Sequence, residues 1–180
     1  MKRIMVLTGS LVFMLNSMAQ VFVPKDENQA VSFAIKNLGF TVNGSFSGLQ
    51  GSIVFNPASL ATASFNVTVD AGTVNTGNNS RDGHLKKDDY FNAGVFKKIS
   101  LVSTKITNGT AQAIYLFEGV LNIKGTNKSI AFPFTAAPTT EGYLFSGSFK
   151  INRRDFKVGG SSLVLSDNLT ILLKVSAKSN

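Results

Sequence analysis

S-F-N-V-T-V-D, residues 64–70, sets Phe65, Val67 and Val69 on one side of the chain and Ser64, Asn66, Thr68 and Asp70 on the other. Period two of this kind is a strand with one dry face and one wet face. Outward from it, Phe33 and Ile35 alternate with Ser32, Ala34 and Lys36, and similar runs occupy 42–49, 52–55, 99–106, 112–123, 129–136, 143–152 and 169–177. Turn residues separate the runs at Leu38-Gly39, Gln50-Gly51, Asn56-Pro57, Asn108-Gly109, Lys124-Gly125, Glu141-Gly142 and Gly159-Gly160. Asn108-Gly109 is the strongest two-residue hairpin signal, because both residues tolerate positive φ. Regular spacing without a helical period between strands predicts an all-β antiparallel sandwich or barrel.

One segment breaks the alternation. T-G-N-N-S-R-D-G-H-L-K-K-D-D-Y-F, residues 76–91, gathers Arg81, Asp82, Lys86, Lys87, Asp88 and Asp89 around His84, the single histidine. Ser80 suits a helix N-cap, Asp82 the first turn, and Lys86 and Lys87 the last. The expectation is a short helical insert near 80–90, which either works as a site or closes the fold.

The chain opens with Lys2 and Arg3, an apolar run over 4–15, and small residues before Gln20. That pattern predicts a cleavable signal peptide over 1–19, an exported protein, and one domain over 20–180. Without a cysteine anywhere, stability rests on apolar burial, which suits a bacterial periplasm. The full chain carries 18 basic and 10 acidic residues, and loss of Lys2 and Arg3 leaves 16 against 10. This balance favours anionic partners and transient contact with a membrane surface. Basic residues do not form a stripe interleaved with aromatics, which argues against nucleic acid. Monomer and homodimer both remain open.

The whole chain has fifteen phenylalanines against three tyrosines and no tryptophan, which makes the dry faces almost purely apolar. Gly44, Gly119 and Gly147 fall on the same parity as Phe46, Phe117, Leu121, Phe145 and Phe149. Such glycines bend a sheet and withdraw side chains from its interior. About eight strands can enclose one ligand or simply fill, and alternation alone leaves both outcomes open. A hollow interior of this composition would take a long apolar ligand, held by burial at roughly 25 cal/mol per Å². The candidate wall is Phe33, Ile35, Phe46, Phe65, Val67, Phe117, Leu121, Phe132, Phe134, Phe145, Phe149 and Ile171. The stripe of Phe33 and Ile35 continues in phase to Asn37, and that of Phe145 to Ile151 continues to Arg153. Both are candidate polar contacts, although an inward arginine is commonly paired with a protein carboxylate such as Asp82 or Asp155.

Catalysis has thin support. G-S-F-S-G (44–48) has Phe46 where a nucleophile elbow needs serine. One histidine and no cysteine make a poor tetrahedral zinc site. An enzyme using His84 on a lipid-like substrate, or a non-binding structural domain, are the competing readings.

Residues 76–92 resemble the signature of the YceI-like family, bacterial polyisoprenoid-binding, lipocalin-like proteins. F-A-I-K-N-L-G-F-T-V-N-G-S-F (33–46), G-S-I-V-F-N-P (51–57), G-V-L-N-I-K-G-T-N-K (119–128) and F-K-I-N-R-R-D-F-K-V-G-G (149–160) extend the likeness across nearly the whole chain. The resemblance implies a lipocalin-like antiparallel barrel of about eight strands that holds a polyprenyl phosphate or isoprenoid quinone in the periplasm, with no other cofactor, no metal and no catalytic residues. It also implies a helical 76–92 segment packed near the barrel. The chain departs from the family's pattern with Asn37 where His is frequent, Lys157 where Gly is frequent, and Asn122 where Thr is common.

Overall fold

The computed structural model describes residues 20–27 and 29–180, so the expected signal peptide over 1–19 lies outside the described residues. Ten strands follow in order: β1 (Val21–Pro24), β2 (Val31–Asn37), β3 (Phe40–Phe46), β4 (Gln50–Val54), β5 (Ser64–Asp70), β6 (Lys98–Asn108), β7 (Ile114–Ile123), β8 (Thr126–Pro138), β9 (Gly142–Asn152) and β10 (Leu165–Ser179). A helix, α1 (Asn79–Leu85), lies between β5 and β6.

Every pairing is antiparallel, and the ladder runs from β4 through β5, β6, β7, β8 and β9 to β10. β1 closes the ring: Phe22 stands opposite Ile53 of β4 on one side and Ser179 of β10 on the other. The remaining length of β10 pairs β2, from Leu165 opposite Asn37 to Leu173 opposite Val31. β1 and β2 are therefore two lengths of one edge beside β10, and the β2–β3 and β1–β4 pairs form one interrupted ribbon. Ten segments thus build an eight-stranded closed barrel. Closure through β1 removes most of the free edge that would otherwise template aggregation, leaving that of β3.

Two connections are tight turns with both central residues at positive φ, Leu38-Gly39 (51° and 82°) and Lys124-Gly125 (51° and 71°). Asn108-Gly109 does not form the expected two-residue turn. Gly109 N–H donates to the Ile114 carbonyl at 2.8 Å, and 109–113 form a longer loop with Ala113 at positive φ. A tight turn at 108–109 would have set Ile106 against Ala111. The longer loop sets Ile106 against Phe117, a larger dry-face pair.

The dry faces meet in one core whose most buried members include Phe22, Ile53, Phe55 and Phe117. Two inward glycines serve a different end from the hollowing expected of them. Gly44 stands directly opposite Phe33, and a Cβ on it would sit 2.3 Å from that ring. Gly147 stands opposite Phe134 and lies under Phe132 as well. Each vacancy is filled by a neighbouring ring, an aromatic covering of a strand glycine.

The insert is helical only over its first part. Asn78, rather than Ser80, is the N-cap, its side chain accepting from Arg81 N–H at 3.0 Å. Asp82 is buried and accepts from the Thr76 amide at 2.9 Å and the Thr76 hydroxyl at 2.5 Å, while Arg81 Nε donates to that same hydroxyl at 2.7 Å. The Thr76 knot fixes α1 against the barrel. Nearby, Asn75 bridges to Ser45 at the edge of β3, which lacks a β5 partner there.

Candidate functional site

The interior is packed at one end and hollow at the other. At the packed end, Phe55 has edge-on contacts with Phe65, Tyr115, Phe134, Tyr143 and Phe145, with ring centroids 5.1–6.4 Å apart. Phe22 adds a further edge contact to Tyr143. Toward the other end, Val31, Ile35, Val67, Phe149, Leu169 and Ile171 face inward yet are only partly buried. A side chain that faces the barrel axis but remains accessible borders empty space.

That space is a cavity of about 430 Å³, within the ~300–1,000 Å³ common for small-molecule sites. All twelve predicted wall residues line it: Phe33, Ile35, Phe46, Phe65, Val67, Phe117, Leu121, Phe132, Phe134, Phe145, Phe149 and Ile171. Phe117, Phe132 and Phe149 form a stacked column across three strands, with centroids 4.8 and 4.4 Å apart. Stacked rings give a flat apolar wall rather than a plug.

Sequence reasoning missed many lining residues, of two kinds, strand positions such as Val31, Val42, Ile99, Leu101 and Ile151 among them. Leu169, Leu173 and Val175 share the phase of Ile171 on β10, so the alternation already marked them. Leu85, Tyr90, Phe91, Phe156 and Val158 also line the cavity but come from the insert and the loop before β10. No strand periodicity covers those segments, so nothing local signalled their direction.

Both predicted polar contacts lie on the cavity wall, in different states. Arg153 is 4% exposed and already engaged: Nε donates to the Ser166 carbonyl (3.0 Å), Nη1 to the Val158 carbonyl (2.9 Å) and Nη2 to Asp167 Oδ1 (2.8 Å). The carboxylate that meets it is Asp167, on β10, and not Asp82 or Asp155. Arg153 thereby ties the turn after β9 to the start of β10. Asn37 is half-buried, and its side chain has no hydrogen bond among the described residues. Its amide is free to meet a ligand.

His84 also borders the cavity, with Nε2 3.7 Å from Asp89 Oδ2 and its ring 4.9 Å from that of Tyr90. Its side chain is half exposed. Among the described residues, no group of three or more His, Cys, Asp or Glu side chains is placed to hold a metal. Of the lining residues, His84, Ser162 and Val164 are solvent-exposed, and they mark where the cavity meets water. The mouth therefore lies between α1, the β2–β3 hairpin and the loop before β10.

The family model of the YceI-like domain matches residues 22–177. A UPF0312 protein of Yersinia enterocolitica is 30% identical over 126 residues, 68% of this chain and 65% of that protein. A UPF0312 protein of Vibrio cholerae is 25% identical over 86% of this chain and 87% of its own length. Among solved structures, BcnA of Burkholderia cenocepacia superposes with a TM-score of 0.76 at 25% identity, covering 81% of this chain and 93% of that one. A polyisoprenoid-binding domain from Saccharophagus degradans shares the fold, with a TM-score of 0.66 at 13% identity over 90% of this chain and 99% of its own. The chain belongs to the YceI-like family.

Proposed function

We propose that this YceI-like barrel binds an isoprenoid lipid, a polyprenyl phosphate or an isoprenoid quinone, and carries or stores it in the periplasm without covalent chemistry. The carrying observation is the hollow half of the barrel, where inward strand residues border an apolar cavity that opens beside an unpaired Asn37 amide. A flexible apolar chain gains by leaving water for such a wall. Few convergent polar groups face it, which suits a hydrocarbon ligand better than a sugar or nucleotide. Asn37 meets the headgroup, and Arg153 holds the rim in shape. The likeness in fold to a domain described as polyisoprenoid-binding points the same way.

In this reading the protein needs no cofactor, and His84 helps fix the insert instead of acting on a bond. Mass spectrometry of an organic extract of the purified protein tests the proposal. A co-purified isoprenoid lipid is expected, as is uptake of added polyprenyl phosphate or ubiquinone by stripped protein. Clean extracts combined with no uptake of either probe would overturn it. Replacing His84 with Ala leaves ligand uptake unchanged if the protein is a carrier.

A further inference from the structure

Four large apolar side chains stand in water beside the cavity mouth. Leu38 and Phe40 cap the β2–β3 hairpin at 66% and 77% exposure, and Leu163 and Val164 lie just before β10, with Leu163 fully exposed. They form one patch: Leu38 N–H donates to the Val164 carbonyl at 2.9 Å, and Asn37 pairs with both Phe40 and Leu165. Asn37 and Val164 also line the cavity, so the patch is continuous with its wall. A Leu-Gly pair at positive φ is an expensive place for an exposed leucine, since Asn or Gly would take the turn with less strain. Nothing within the described chain covers this apolar tip.

Charge selects the occupant. Toward the filled end, Lys25 is paired with Glu141 and Lys105 stands opposite Glu118. Over 20–180 the chain carries 16 basic and 10 acidic side chains, a surplus of six positive charges. Lys36 flanks the hairpin tip directly, while Lys157, exposed, lies on the loop that leads to Leu163. An apolar tip within a cationic field is complementary to an anionic bilayer surface: the side chains enter the interface while the lysines meet headgroups.

We propose that Leu38, Phe40, Leu163 and Val164 are a membrane-docking rim that seats the cavity mouth on anionic bilayers, so that a lipid passes between leaflet and barrel without crossing water. This deepens the lipid-binding reading and rests on it for the identity of the cargo, although docking itself is measured separately.

The test is flotation of the full-length mature protein with vesicles of phosphatidylcholine alone and of phosphatidylcholine containing roughly a third phosphatidylglycerol. Wild type is expected to float with the anionic vesicles and to be released by salt. The triple variant L38N/F40T/L163S keeps the turn and strand preferences of those positions, and its partitioning should fall about tenfold or more. K36E/K157E should lose the preference for anionic vesicles while retaining the apolar rim. Circular dichroism and uptake of farnesol from solution confirm that the variants remain folded with the cavity intact. Wild type that floats with neither vesicle, or a triple variant that floats as wild type does, overturns the proposal. So does a concentration-dependent dimer that the same triple substitution abolishes in the absence of vesicle binding, because the rim then covers a second copy. Docking without farnesol uptake leaves the rim standing and removes the lipid-carrier reading instead.

Discussion

Phe55 and Phe149 both face the interior of the same barrel, yet one sits in a solid and the other on a wall. Phe55 is 1% exposed and touches five other rings, because it leaves the end of β4 and crosses the barrel axis. Phe149 lies flat on Phe132 at 4.4 Å, within a strand, and its neighbours on β10 and β2, Ile171, Leu169 and Ile35 among them, are aliphatic and border the open lumen. The same residue type at the same parity thus fills or lines, depending on whether the side chain reaches across the lumen to rings on other strands. Packing density near the native value forms only where such a crossing residue is supplied.

The contrast is open to direct attack. Phe55→Ala should lower unfolding free energy by about 3–5 kcal/mol, whereas Phe149→Ala should cost about 1 kcal/mol in the ligand-free protein and mainly weaken lipid uptake. Denaturant melts that give equal losses would erase the distinction between the two ends. Arg153→Met should destabilise by about 2 kcal/mol, less than a deeply buried pair, because the stranded Asp167 is one-third exposed and can hydrate.

Filling the lumen tests the hollow end from the other side. Ile35→Trp should abolish uptake of polyprenyl lipid while leaving stability equal or raising it by up to about 1 kcal/mol, since the added ring enters space instead of displacing neighbours. Strong destabilisation in that variant would mean the cavity is already spoken for by side chains. The smallest effect belongs to the exterior of the filled end, where Lys25 Nζ donates to Glu141. That hydrogen bond, and then the lysine's charge, holds the Glu141 carboxyl below its ordinary value. The contribution is therefore present above the usual carboxylate range and is lost as pH falls through it. Both groups are exposed, so melting scans at about pH 7 and about pH 3 should separate wild type from Glu141→Gln only slightly, and only at the higher pH.

Much of this arrangement could be read from local pattern. Period-two alternation named the strands and placed twelve wall residues on the correct face, because parity is a property of the backbone alone. The run 52–55 puts Phe55 in phase with Ile53, but parity gives only the face of a side chain and could not say that Phe55, one residue beyond β4, plugs one end. Nor could it find β1, whose four residues owe their strand form to ladders with Ile53 and Ser179, both distant in sequence. The Asn108-Gly109 signal failed for a related reason: the pairing of Ile106 with Phe117 outweighs a good turn. Lys157 shows the converse. It adopts positive φ (56°) at the end of the turn after β9, a position that favours Gly on backbone grounds, and only the structure shows that the backbone there is left-handed.

The charge distribution makes the same point. Along the chain the lysines look scattered, and only the register shows which of them are matched, as Lys105 is by Glu118. Any reading of basic residues in a β-barrel must wait for the strands to be laid side by side.

The seam between β1 and β10 has a consequence for how the molecule is made. Phe22 meets Ser179 and Pro24 meets Ala177, so the first and last strands of the barrel are partners. Until β10 is complete the chain can form hairpins but not a ring, and the lumen has no inside. Closure is the longest-range step in the fold and so the slowest to find by diffusion of the chain. A polypeptide that cannot latch shut before its tenth strand is delivered stays threadable until that strand arrives.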